Sequence, residues 1–229
     1  MIGFYDTGLG GQRIADMFGQ ISDIPYICYQ DREALPLGDK TQEQIRNIVI
    51  AGIEKLFQQN CSLVVLACNT ASVGTIRYIQ SNWLSQNYPG KQVLGVTVPL
   101  REYLDEFSKL KSQKGLLLAT QATIQTGFYQ EYLAQFNYNL DYLSCPNLAD
   151  SIEKDVYSED NTYTQSVKIL QNLSKQVQTK PDYIILACTH YGYVSKQIQN
   201  IFQTTQALDP SEYIAERLVD YLDRHKYNI

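Results

Sequence analysis

Short apolar runs alternate along this chain with stretches whose apolar positions recur every three or four residues. The runs fall at 2–5, 26–30, 63–67, 93–98, 115–119, 140–143, 183–186 and 207–208. Continuous apolar runs of this length read as strands buried on both faces, and the three-to-four spacing reads as helix. Helical patterns carry Ile14, Met17 and Phe18, then Ile45, Ile48, Val49, Ile53, Leu56 and Phe57, then Ile76, Ile79, Trp83 and Leu84. Others cover 100–110, the stretch with Tyr129 and Leu133, 163–176, the stretch with Val194, Ile198, Ile201 and Phe202, and 214–222. Thr41, with Gln44 three residues on, predicts a capping box at the head of the second helix. Strand and helix in strict alternation predict an α/β fold with doubly wound parallel sheets.

One phrase occurs twice. Residues 63–72 read LVVLACNTAS and residues 183–192 read YIILACTHYG, so Ala-Cys recurs 120 residues later in the same setting. Each cysteine, Cys68 and Cys188, is expected at the carboxyl end of a strand, where open α/β sheets bind ligands. The repetition predicts two similar doubly wound α/β domains, related by a pseudo-twofold, with a cleft between them and one half-site from each. The expected division is 1–96 plus 207–229 for the Cys68 domain and 97–206 for the Cys188 domain.

Composition narrows the picture. With 229 residues, 44% hydrophobic and 19% charged, the chain can bury a sizeable core. A net charge of −5 carries no basic footprint and argues against nucleic acid as a partner. No run of about 18 apolar residues is present, so no membrane span is expected. The start, MIGFYDTGLGG, enters a strand directly without a signal-like region, and a cytoplasmic location is expected. The five cysteines are odd in number and form no C-x-x-C, which indicates neither a disulfide framework nor a zinc ribbon. Two histidines, His190 and His225, are too few for a His-rich metal site.

After the first strand come Asp6-Thr7-Gly8-Leu9-Gly10-Gly11 and a helix. The dinucleotide fingerprint fails, because Arg13 stands at the third glycine, and no Walker Gly-Lys-Ser/Thr follows. These glycines either let the backbone approach a small ligand or simply turn the chain. From position alone Asp6 is a turn cap or a functional carboxylate. Cys28, Cys61 and Cys145 read as small buried hydrophobes. Cys68 and Cys188 differ, because backbone N–H groups at a strand-to-helix junction favour a thiolate. An unperturbed thiol has a pKa of ~8.5, so a modest downward shift would make a base near neutrality. Thr70 and Thr189 are placed to cap those helices or to bind a ligand.

Two thiols facing one another suit the inversion of a stereocentre: one takes a proton from carbon while the other delivers a proton to the opposite face. A single nucleophilic cysteine with His190 as base, in a hydrolase or transferase, is the competing chemistry. The duplication favours two bases.

The chain resembles the cofactor-independent aspartate/glutamate racemase superfamily, and within it the glutamate racemases. The resemblance rests on Asp6-Thr7-Gly8 with Gly10-Gly11, Asp31 with Pro36-Leu37-Gly38, and Ala67-Cys68-Asn69-Thr70-Ala71-Ser72. It extends to Ala119-Thr120 with Thr123, Thr126 and Tyr129, then Cys145-Pro146 with Glu153, Cys188-Thr189-His190-Tyr191, and Asp209. These occur in family order over nearly the whole chain. Aspartate racemases usually carry Glu after the second Cys-Thr, so His190 points to glutamate. The resemblance implies an isomerase that needs no cofactor and no metal, and that supplies D-glutamate for peptidoglycan. It implies that Cys68 deprotonates the D-enantiomer and Cys188 the L-enantiomer. Asp6 would assist Cys68, and His190 and Glu153 would assist Cys188. Asp6, Thr7, Leu37, Gly38, Asn69, Thr70, Thr123, Thr189 and His190 would form the substrate site. The partner is then a small amino acid, glutamate, and a homodimer is the candidate assembly.

The chain departs from the family pattern at Thr7, where Ser is usual, at Leu37, where Tyr is usual, and at Ala34, where Arg is usual. It also ends sooner after the 214–222 helix than many members. These departures leave the acid/base set intact and bear on substrate preference and assembly. The alternatives are racemisation of aspartate or another acidic amino acid, and a non-catalytic amino-acid-binding homologue.

Overall fold

The computed structural model describes residues 1–158, 162–204 and 206–225. Among the described residues, eight strands form two separate four-stranded sheets, and every pairing is parallel. The first sheet comprises β1 (Ile2–Asp6), β2 (Tyr26–Gln30), β3 (Leu63–Leu66) and β4 (Gln92–Gly95), in the order β2-β1-β3-β4. The second comprises β5 (Gly115–Ala119), β6 (Leu140–Ser144), β7 (Tyr183–Leu186) and β8 (Gln206–Leu208), in the order β6-β5-β7-β8. Position for position the two orders are the same. Registers match too: Tyr5 pairs with Leu66 in one sheet and Leu118 with Leu186 in the other. The next amides repeat the match, Ala67 donating to the Tyr5 carbonyl and Ala187 to the Leu118 carbonyl, each at 2.9 Å. Cys68 and Cys188 therefore occupy equivalent places, two residues past the third strand of each sheet.

Parallel pairing requires crossovers, and helices supply them on both faces. They are α1 (Leu9–Ile21), α2 (Gln42–Gln58), α3 (Asn69–Tyr78), α4 (Leu84–Asn87), α5 (Thr97–Glu106), α6 (Gln121–Gln125), α7 (Phe128–Ala134), α8 (Leu148–Val156), α9 (Thr164–Ser174), α10 (Ser195–Phe202) and α11 (Ser211–Arg224). Side chains alternate across each strand, so each sheet feeds two cores. In the first, Tyr5, Val64 and Leu66 pack on Ile45, Val49, Ile53 and Leu56 of α2. On its other face Phe4, Leu63 and Val65 meet Ile14 and Phe18 of α1 and Ile214 and Leu218 of α11. In the second sheet Leu116, Leu118, Ile184 and Leu186 pack with Ile152, Leu170 and Ile198. Its opposite face sets Leu117, Tyr183 and Ile185 against Leu100 and Leu104 of α5 and Leu133 of α7.

Three expectations need correction. The run at 93–98 is not one strand: β4 ends at Gly95 and α5 begins at Thr97. Pro99 fits this start, since a residue without an N–H is accommodated in a helix's first turn, where that N–H would have no intrahelical partner. The helix through Ile76 and Trp83 is not α-helical throughout, because a π segment at Ile79–Trp83 lies between α3 and α4. The domain boundary at 207 also fails locally. β8 pairs with β7, so residues 207 and 208 belong to the second sheet, and the chain returns to the first only through α11. Residues 226–229 of the expected first domain lie outside the described residues. Among the described residues, no helix is long and apolar enough to cross a membrane.

Candidate active site

The strand order reverses beside β1 in the first sheet and beside β5 in the second, the switch points where α/β sheets open a crevice at their carboxyl ends. Both crevices contribute to one cleft, partly open to solvent. Cys68 and Cys188 both line it, together with Thr7, Leu37, Gly38, Thr70 and His190. The two halves of the sequence repeat thus share a single cavity.

Cys68 precedes α3 as its N-cap residue, held by the β3 strand behind it. Its thiol is pushed well above the ordinary range, first by burial and next by the Asp6 carboxylate; Cys188 adds to this. The Ala71 and Thr70 amides pull the other way and lose. The expected lowering by the helix N-terminus is therefore reversed: burial beside a carboxylate outweighs two amide dipoles, and the resting Cys68 is a thiol. Asp6 is fully buried. Its Oδ1 accepts from the Thr7 amide at 2.6 Å and the Gly8 amide at 3.3 Å, and its Oδ2 accepts from the Thr189 hydroxyl at 3.1 Å. Asp6 is thus a turn cap and a neighbour of Cys68 at once. Burial raises its carboxyl, against the His190 charge and the three hydrogen bonds.

Cys188 leads into a 3-10 turn, Thr189–Val194, rather than directly into a helix. Thr189 does not cap a helix, since its hydroxyl is spent on Asp6, and Thr70 caps none either. His190, 3% exposed, hydrogen-bonds Cys188, and its Nε2 lies 2.8 Å from Glu153 Oε2. Burial alone would strip the imidazole of its proton, but the bonds to Cys188 and Glu153, with the charges of Cys188 and Asp6, push it up to about 10. Nε2 therefore carries a proton at neutral pH and donates it to Glu153. Burial would raise the Glu153 carboxyl, yet the His190 hydrogen bond, the Leu9 amide, the His190 charge and Arg32 together hold it below the usual carboxylate value. The Leu9 amide, at the start of α1, donates to Glu153 Oε2 at 3.0 Å.

The glycine loop is explained by this crossing. A Cβ on Gly8 would lie 2.6 Å from Glu153 Oε2 and 2.8 Å from His190 Nε2, and one on Gly10 would overlap the Thr189 side chain. Gly8 and Gly10 let the first half approach Glu153, Thr189 and His190 of the second.

Four expected substrate residues stand behind the cleft wall. Asp6 and Thr189 pair with each other, Asn69 accepts from the buried Tyr129 hydroxyl, and Thr123 belongs to a hydroxyl cluster. In that cluster Thr70 lies 2.9 Å from Thr120 and 3.2 Å from Thr123. Thr120, Cys145, Pro146 and Asn147 also line the cleft. Reading the residues singly missed them: the Asp31 amide bonds the Asp6 carbonyl as the Cys145 amide bonds that of Ala119, both at 2.8 Å, but no shared phrase at 31 and 145 marks this equivalence in the sequence. The Cys145 thiol is buried and pushed up to about 12, by desolvation first and the Cys188 charge next. Leu37 packs into the apolar core while facing the cleft.

The chain is similar to a protein named glutamate racemase from Dinoroseobacter shibae, 31% identical over 98% of this chain and 84% of the relative. A second protein of that name, from Paracoccus denitrificans, is 32% identical over 98% of this chain and 85% of its own length. Among solved structures, glutamate racemase isoform RacE1 from Bacillus anthracis shares the fold, with a TM-score of 0.83 at 24% identity, covering 98% of this chain and 82% of that one. No protein-family model matches the chain. The identity to curated relatives, carried across almost the full length, establishes that the chain belongs to the glutamate racemase family.

Proposed function

We propose that this protein interconverts L- and D-glutamate by a two-base mechanism without a cofactor. The observation that carries the proposal is the pair of cysteines, at equivalent ends of two equivalent sheets, lining one cleft. In the L-to-D direction Cys188 as thiolate takes the α-proton from one face. The Cys68 thiol delivers a proton to the other, so that one C–H bond breaks and one forms with inversion. The resting state suits this direction, because burial and the Asp6 carboxylate keep Cys68 protonated. In the D-to-L direction the roles exchange, with Asp6 assisting Cys68 and the Glu153–His190 pair assisting Cys188. The α-proton is weakly acidic, so fixed dipoles in a site shielded from water must stabilise the carbanion-like transition state. Thr7, Gly38, Thr70 and His190 contact the substrate from the cleft wall, with Leu37 setting its width. Asp6, Asn69, Thr123 and Thr189 hold those groups in place or reach the substrate through backbone amides.

The product serves peptidoglycan synthesis in the cytoplasm, and the active unit is a monomer or homodimer of two α/β domains meeting at the cleft. A second substrate, aspartate or another acidic amino acid, is favoured by one observation: Leu37 gives the cleft an apolar wall without a phenol.

Circular dichroism of L- and D-glutamate and of aspartate tests these readings. The wild type is expected to racemise glutamate faster than aspartate, and Cys68→Ser and Cys188→Ser each to lose racemisation by at least about 10³-fold, the scale for removing an essential base. A single mutant with full activity contradicts the two-base mechanism, and faster turnover of aspartate contradicts the substrate assignment.

A further inference from the structure

Arg32 follows β2 in the first half, yet its side chain lies on α8 of the second. Its guanidinium sits 4.7 Å over the Tyr157 ring and hydrogen-bonds the Tyr157 hydroxyl. On its own side it is braced by Gln30, whose Oε1 accepts from Nε at 3.1 Å and from Nη2 at 2.8 Å. Its Nε is 3.9 Å from Glu153 Oε1. That oxygen is buried and has no hydrogen-bond partner among the described residues, while Oε2 serves both His190 and Leu9. A buried carboxylate oxygen without a hydrogen bond is costly unless a cation stands nearby.

We propose that Arg32 is a positioning residue for the Cys188 half-site: reaching across from the first half, it holds Glu153 as a carboxylate aimed at His190. The inference rests on the racemase reading for its catalytic meaning but not for its geometry. Arginine suits the place better than lysine, because a planar guanidinium can stack on Tyr157, bond Gln30 and face a carboxylate together. The groups around Glu153 are accounted for by element. His190 and Tyr193 face it from the turn after β7, Arg32 from the loop after β2, and the Leu9 amide from α1. Behind His190 stand Cys188 and Asp6. Arg32 and His190 are the two cations of the set, and Arg32 alone is half-exposed. Removing it lets Glu153 take a proton at higher pH, so the acid-side loss of the His190–Glu153 pair moves upward.

The chain's two histidines make this measurable without turnover. In a His225→Gln background the His190 imidazole nitrogens can be followed by 15N NMR as pH falls, and their shifts change where Glu153 protonates. In Arg32→Gln that inflection is expected to rise by about 0.5 pH unit, the scale of a partly exposed ion pair. The acid limb of kcat should move with it, lowering kcat about threefold on that limb while KM holds. Arg32→Lys should restore most of the shift. Tyr157→Phe, which removes the hydroxyl anchor, and added salt on the wild type, which screens the exposed cation, should each move the inflection in the same direction. An inflection unmoved in Arg32→Gln, or in the wild type at high salt should that variant not fold, overturns the proposal. So does a loss of kcat that is equal at every pH. If the wild type shows the inflection but does not racemise glutamate, the functional reading fails and the positioning role stands. If it racemises with the inflection unmoved, only the positioning role fails.

Discussion

Cys68 and Cys188 stand at matching positions but meet different neighbours, and the difference is a matter of single atoms. Cys68 has a buried carboxylate beside it, whereas Cys188 has an imidazole that is itself bonded to a carboxylate. Gly8 decides whether that second arrangement can exist. Its backbone is extended, with φ −163°, a conformation open to any residue, so the requirement at this position is space and not flexibility. Gly8→Ala would drive a methyl group into the His190–Glu153 hydrogen bond. Racemisation is expected to fall on the order of 100-fold, as for a small displacement of catalytic groups, with far-UV circular dichroism unchanged. Activity within twofold of wild type would show that the pair can shift at little cost. The two cysteines were legible from the repeated Ala-Cys phrase alone. The role of Gly8 was not, because its constraint comes from residues 145 and 182 positions away.

At the scale of the element, local signals that close on themselves were readable. Thr41 and Gln44 form the expected capping box on α2, the Thr41 hydroxyl accepting from the Gln44 amide at 3.3 Å and the Gln44 side chain from the Thr41 amide at 2.9 Å. Thr41→Ala should lower stability by about 1 kcal/mol in urea unfolding and leave racemisation unchanged, since the cap lies outside the cleft lining. A loss of activity without a loss of stability would contradict that separation. Less readable was the stretch from β4 into α5, where β-branched Val96, Thr97 and Val98 continue an apolar run that Pro99 ends. The π turn after α3 left no trace, because Ile79 and Trp83 keep a helical spacing through it. The displaced boundary at β8 has the same origin. Its three residues gain their partner from β7, more than 20 positions earlier, and no local pattern encodes that choice.

At the scale of the whole molecule, the cleft exists only because two sheets of the same order present their carboxyl ends to each other. The first half gives Asp6, the glycine loop, Arg32 and Cys68; the second gives Glu153, Cys188, Thr189 and His190. Contacts cross at every level: Leu9 to Glu153, Thr189 to Asp6, Tyr193 to the Leu9 carbonyl, and Arg13 to Asp209 at 2.7 Å. The repeat announced the two halves and the shared cleft, but these crossings depend on the packing of one half against the other. In the proposed mechanism each half contributes one base, and the position of deuterium distinguishes this from a single base. L-glutamate is turned over in heavy water and examined by NMR while conversion is still small. D-glutamate is expected to carry deuterium at the α-carbon, because Cys68 delivers a solvent-derived deuteron, while the remaining L-glutamate keeps its original hydrogen. D-glutamate that retains the substrate's own α-hydrogen would mean that one base serves both faces, and would contradict the account.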